Sequence, residues 1–138
     1  MKPRKLEVRQ YGKSEKTGLV LSEIVFYCWD KEVNDCPTQL NPLHEAKFID
    51  YARYPAEIGV PVEIYFDTFL ASPLPYPDQG ELYLFESNTY TPVEIVNKQF
   101  HVPNKEGVYT YVYKTIYNSD VNGIAFYVFK LNVKESWN

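Results

Sequence analysis

From Gly107 to Val133 the chain carries two runs of alternating side chains separated by a polar turn. In the first run Tyr109, Tyr111, Tyr113, Thr115 and Tyr117 fall on one face of an extended backbone. Val108, Thr110, Val112, Lys114 and Ile116 fall on the other, because strand side chains alternate with a period of two. Aromatic and β-branched residues occupy both faces, which suits a pleated, mostly covered strand and suits a helix poorly. In the second run Ala125, Tyr127, Phe129, Leu131 and Val133 share a side, while Lys130, Asn132 and Lys134 end the other, so the odd-numbered face is expected to be buried. Between the runs, Asn118 to Gly123 collects turn formers, and its Asn-Gly pair tolerates the positive φ of a hairpin. The reading is a long antiparallel hairpin.

The rest of the chain supplies shorter pieces of the same kind. Met1 to Ser14 is charged and polar and reads as a loose leader, extending to about residue 18, or as an edge strand at Leu6–Arg9. Leu19 to Trp29 alternates as one strand with Leu21, Val25, Tyr27 and Trp29 on a shared face; Trp29 is expected to anchor the core. Pro37, Pro42 and Pro55 interrupt the next stretch, where Leu43–Arg53 forms a short helix or a strand around Phe48. Val60, Val62, Ile64, Phe66 and Thr68 then alternate against Glu63, Tyr65 and Asp67, a strand with one wet face. Pro73, Pro75 and Pro77 make a stiff loop around Tyr76. Glu81–Glu86 and Pro92–Val96 read as short strands around a turn at Ser87–Thr89, and Phe100 and Val102 lead by Pro103 into the hairpin. Seven to nine short strands divided by turn signals define an all-β, immunoglobulin-like antiparallel β-sandwich, and 138 residues suffice for one domain.

Composition narrows the function classes. Thirteen tyrosines and ten prolines favour strands joined by stiff loops over a helical bundle. A net charge of -4 argues against nucleic acid as a partner. No apolar run approaches the length that spans a bilayer, so no transmembrane segment is expected. No hydrophobic signal segment opens the sequence as given, which excludes little about export.

Two details point further. Gly107-Val108-Tyr109-Thr110-Tyr111 resembles the approach to strand F of immunoglobulin-like domains, where a tyrosine hydroxyl bonds back to the backbone in a tyrosine corner. Tyr109 is either that residue or an ordinary strand tyrosine; the usual Asp is missing. Cys28 and Cys36 flank a polar, acidic loop (Asp30, Lys31, Glu32, Asn34, Asp35) and are either a disulfide pair or two unrelated reduced thiols. A bond across so short a loop stabilises by about 2–3 kcal/mol on the chain-entropy model. The spacing fits no common zinc ligand pair.

The order of these pieces resembles a family of small exported or lipid-anchored proteins of Gram-positive spore-forming bacteria. The resemblance is carried by Tyr27-Cys28-Trp29, a second cysteine at Cys36, the Val60–Thr68 strand, Phe100-x-Val102-Pro103, Gly107-x-Tyr109-x-Tyr111 and the closing Tyr127-x-Phe129-x-Leu131-x-Val133. Val25-Phe26 stands where the family often has a Gly, and Tyr117 where it favours a Trp. The resemblance implies an immunoglobulin-like sandwich, a Cys28–Cys36 disulfide and an extracytoplasmic address. It brings no activity, and a fold alone supplies none.

No residue pattern marks a catalytic centre. His44 and His101 lie far apart, and neither sits in a metal or catalytic pattern. There is no nucleophile elbow, no phosphate loop and no His-Glu-x-x-His, so no enzyme, cofactor or metal is expected. Asn118-x-Asp120-x-Asn122-Gly123 matches the first half of a calcium loop, but Phe129 stands where that loop needs its bidentate Glu, and a hairpin turn already explains it. The acidic loop Asp30–Asp35 reads as solvated. Tyr51, Tyr54, Tyr76 and Tyr90 sit in or near proline-flanked segments, where a ring can stack on a sugar or anchor a protein. The expected function is a non-catalytic exported domain acting by surface contacts on an unknown protein or glycan at the cell envelope. The alternative is a carbohydrate-binding or inhibitor-like module using those loop aromatics.

Overall fold

The computed structural model describes residues 2–12, 14–30, 36–66, 76–119 and 121–137. Among the described residues ten strands form two sheets: β1 (Leu6–Gln10), β2 (Leu19–Leu21), β3 (Glu23–Asp30), β4 (Arg53–Glu57), β5 (Val62–Phe66), β6 (Gln79–Glu86), β7 (Thr89–Val93), β8 (Gln99–Phe100), β9 (Gly107–Asn118) and β10 (Asn122–Lys134). The small sheet runs β2-β1-β5-β8 and the large sheet β3-β10-β9-β6-β7, with β4 also on β10. Strands β5 and β8 in one layer, facing β6, β7, β9 and β10 in the other, follow the immunoglobulin-like order. β4 lies parallel to β10, from Arg53 opposite Lys130 to Glu57 opposite Lys134.

The C-terminal hairpin is the spine of the molecule. Tyr109, Tyr111, Tyr117, Ala125, Tyr127, Phe129, Leu131 and Val133 enter the main core, where they meet Leu6, Val8, Val20, Val62, Ile64 and Phe100 from the small sheet. Phe100 joins the layers, its ring 5.0 Å from Tyr111 and 6.1 Å from Phe129. Phe66 does the same against Tyr127 and Tyr113. The Tyr109 hydroxyl donates to the Lys105 carbonyl at 2.6 Å, the back-bond of a tyrosine corner.

Four expectations need correction. The strand expected at Leu6–Arg9 is present as β1 but is not an edge: it lies inside the small sheet between β2 and β5, and Leu6, Val8 and Gln10 are buried. Gln10 holds it there by donating to the carbonyls of Glu57 and Val60 and accepting from the Glu57 amide. Leu19–Trp29 is not one strand. It breaks at Ser22, whose hydroxyl donates to Leu6 O, and the chain changes sheets. In β3 a register shift opposite Phe126 and Tyr127 puts Ile24, not Val25, on the core side with Tyr27 and Trp29. With these divisions and β4, ten strands are described, in the all-β sandwich that the sequence leads one to expect.

The hairpin's even face is the third correction, because it is covered too. Ile124, Phe126 and Val128, with Val112 of β9, form a second apolar cluster with Leu40 and Phe48. Leu40 and Phe48 belong to a cap that crosses the outer face of the large sheet as α1 (Pro42–Glu45) and a 3-10 turn (Phe48–Asp50). Asn41 caps α1: its side chain accepts from the His44 amide while His44 Nδ1 accepts from the Asn41 amide. Buried Lys130 donates from the sheet to Phe48 O at 3.0 Å and to Ile49 O at 3.4 Å, which ties the end of the 3-10 turn to β10. The fourth concerns Asn122-Gly123. These residues sit in β10, paired with Asn118 and Tyr117, and neither has a positive φ. Gly123 faces Trp29, and a Cβ there would lie 2.3 Å from Cys28 O and 2.5 Å from Trp29 Cε3. The glycine serves close strand approach, not the turn. The positive φ values of a tight hairpin occur instead at Ser87 and Asn88, between β6 and β7.

Candidate functional site

Where the cap ends, the outer face of the large sheet is left open. Strand pairing sets Tyr83 beside Val112 and Glu81 beside Lys114, and Lys114 in turn beside Phe126. These side chains share one face because paired residues point the same way. Thr38, Gln39 and Leu40, the start of the cap, rise along one side, and Tyr90 of β7 along the other. The result is a cleft of about 300 Å³ with an apolar floor.

The cleft's polar groups are ordered. Tyr90 donates its hydroxyl to Glu45 Oε2 at 2.6 Å, and Tyr83 donates to Glu81 Oε1 at 3.0 Å. Burial first, and then the partner carboxylate, holds both phenols above their usual pKa, so both remain donors. Their rings stand 6.1 Å apart at 88°, and Tyr90 leans on Phe85 at 4.9 Å. Lys114 Nζ lies 3.9 Å from Glu81 Oε1.

The Cys28–Cys36 disulfide is present, with Cα atoms 5.6 Å apart. It fixes the start of the cap to β3, two residues before the cleft wall at Thr38. Such bonds persist in oxidising compartments, which favours an extracytoplasmic setting.

The other sequence candidates are scattered. Tyr51 borders the second cluster against Phe48, its phenol pushed up by burial and by Glu23 and Asp50. Tyr54 packs against the main core from β4. Tyr76 is exposed beyond Phe66, under the Arg4 guanidinium at 4.3 Å. Of the four loop tyrosines, only Tyr90 reaches the cleft. Trp29 is half-buried at one end of the sandwich, edge-on to Tyr117 at 5.0 Å. His44 lies against Phe26 in the cap, and His101 is exposed after β8. Among the described residues no group of three or more His, Cys, Asp or Glu is placed to hold a metal, and no helix is long and apolar enough to cross a membrane. Residues 31–35 of the acidic loop, Pro73 and Pro75 of the proline loop, and Asp120 of the calcium-like turn lie outside the described residues.

Tyr83 and Lys114 are the site residues that reading the sequence misses. Alternation marks both as pointing away from the core, but only the register of β6 on β9 shows that they meet. The chain matches no protein-family model, no curated protein and no solved structure.

Proposed function

We propose that this chain is a non-catalytic, exported β-sandwich domain that works by surface contact at the cell envelope, secreted or lipid-anchored like the family it resembles. The observation that carries the proposal is the disulfide-anchored cap. It ties an irregular segment to the outside of the sandwich, where it presents exposed Leu43 and Ile49 and forms one wall of the Tyr83–Tyr90 cleft. Apolar side chains held outward on a stapled segment cost a soluble protein solubility and suit contact with a partner. The Cys28–Cys36 bond supports export.

The test is sedimentation of the purified, oxidised protein with isolated Gram-positive cell envelopes. Retention by envelopes that weakens in the double variant L43D/I49D or in Y83A is the expected outcome. A protein that stays in the supernatant, or whose cysteines are both alkylated without reductant when it is recovered from its native cell, overturns the proposal.

A further inference from the structure

We infer that the cleft between the cap and the large sheet is a subsite for a neutral sugar ring, an inference that rests on the surface-contact reading above. Ring geometry is the first argument. Tyr83 and Tyr90 stand nearly perpendicular, so one ring offers a platform while the other walls it, and the C–H face of a pyranose stacks on such a surface. Hydrogen-bonding capacity is the second. The Tyr83 and Tyr90 hydroxyls each donate to a carboxylate and keep an oxygen lone pair to accept from an incoming donor. Thr38, Gln39 and Lys114 add donors at the same cleft. Sugar hydroxyls both donate and accept, which suits a lining that carries both kinds of group.

Charge decides against the other small-ligand class. Among the described lining residues the charged group is Lys114, and its ammonium is already 3.9 Å from Glu81. An anionic ligand finds that ammonium already offset by a carboxylate, whereas a polyol needs no counter-charge. The volume, about 300 Å³, sits at the low end of small-ligand pockets, enough for a short oligosaccharide end and not for a large cofactor.

The test is a titration of the oxidised, full-length, nitrogen-15-labelled protein with maltotriose, cellotriose and triacetylchitotriose, followed by amide shifts. At least one probe should shift Gln39, Tyr83 and Lys114 saturably, with a Kd on the order of 1 mM. Y83A should weaken that binding about tenfold, while Y83F, which keeps the ring, should stay within about threefold. The rest of each variant's spectrum reports whether it is folded. No saturable shift at those three amides, tighter binding of a glucuronate-containing trisaccharide, or a folded Y83A that binds like the wild type each overturns the inference. If envelopes still retain the wild-type protein while all three neutral probes fail, the sugar assignment falls and the contact reading stands. If neither experiment shows binding, both fall.

Discussion

Gly123→Ala is a test of how tightly β3 lies on β10. The new methyl would sit 2.3 Å from Cys28 O and 2.5 Å from Trp29 Cε3, with Trp29 Cα at 3.1 Å. A carbon and a carbonyl oxygen settle at about 3.3 Å or more, so β3 must retreat by about 1 Å at this point. The first obstacle is backbone, and a rotamer change cannot remove it. Overpacking of this kind costs about 1–3 kcal/mol, and loosening one or two ladder bonds around Trp29 adds about 1 kcal/mol. The expected loss is about 3 kcal/mol, which at about 4 °C per kcal/mol lowers Tm by about 12 °C for a domain of this size. Thermal unfolding followed by near-ultraviolet circular dichroism, with the disulfide kept intact, measures it. Gly123→Asn separates the two roles a glycine here can have. Asn accepts positive φ, so a turn glycine tolerates it, whereas a close-approach glycine does not. A G123N protein that melts within about 2 °C of the wild type would refute the reasoning.

Three further outcomes follow from the same structure. Reducing or removing the Cys28–Cys36 bond should cost about 2–3 kcal/mol in denaturant unfolding and raise hydrogen exchange at Ala46 and Lys47 ahead of β9, since the bond anchors the cap; equal acceleration in both would contradict this. Tyr111 and Tyr127 have pKa values raised by burial above the ordinary 10.0, so the folded state holds protons that the unfolded state releases. Stability is therefore fully present below pH 10 and falls as pH rises beyond it, with the ionisation of these two residues accompanying unfolding; ionisation of Tyr111 and Tyr127 near pH 10 in folded protein would be inconsistent with this packing. Asp78 accepts from the amides of Asn118 and Ser119 and is held below the ordinary 3.8, so this contribution is present above that pH and lost as pH falls through the lowered value. The Asn118 amide shift should follow that low midpoint and be flat in Asp78→Asn; a midpoint at or above 3.8 would contradict the clamp.

The hairpin was legible because it is long: a dozen alternating residues leave the period unmistakable, and the odd face of β10 does enter the core. The covering of its even face was not legible, because it depends on residues 36–51, whose prolines and short turns have no period. β4 escaped for a related reason. Pro55 argues against a strand, yet among the described residues β4 pairs with no strand but β10, and proline is tolerated in such an edge strand. The bulge in β3 cannot be seen in an unbroken apolar run such as Ile24-Val25-Phe26-Tyr27. For the site, Tyr90 stood out by its surroundings. Tyr83 and Lys114 did not, since what joins them is pairing between strands some thirty residues apart, a property of register rather than of either segment.

The position of β10 has a consequence for how the molecule is made. β3, β4 and β9 all pair with it, so the large sheet has no middle until the latest of its strands has been synthesised. β3 and β4 must wait for a partner that lies up to about a hundred residues downstream, and pairing over such separations is slow, whereas β6 and β7 close on each other as a local hairpin. The sandwich as a whole closes last. For the exported role proposed above, the strand that finishes the sandwich is also the one that delays it.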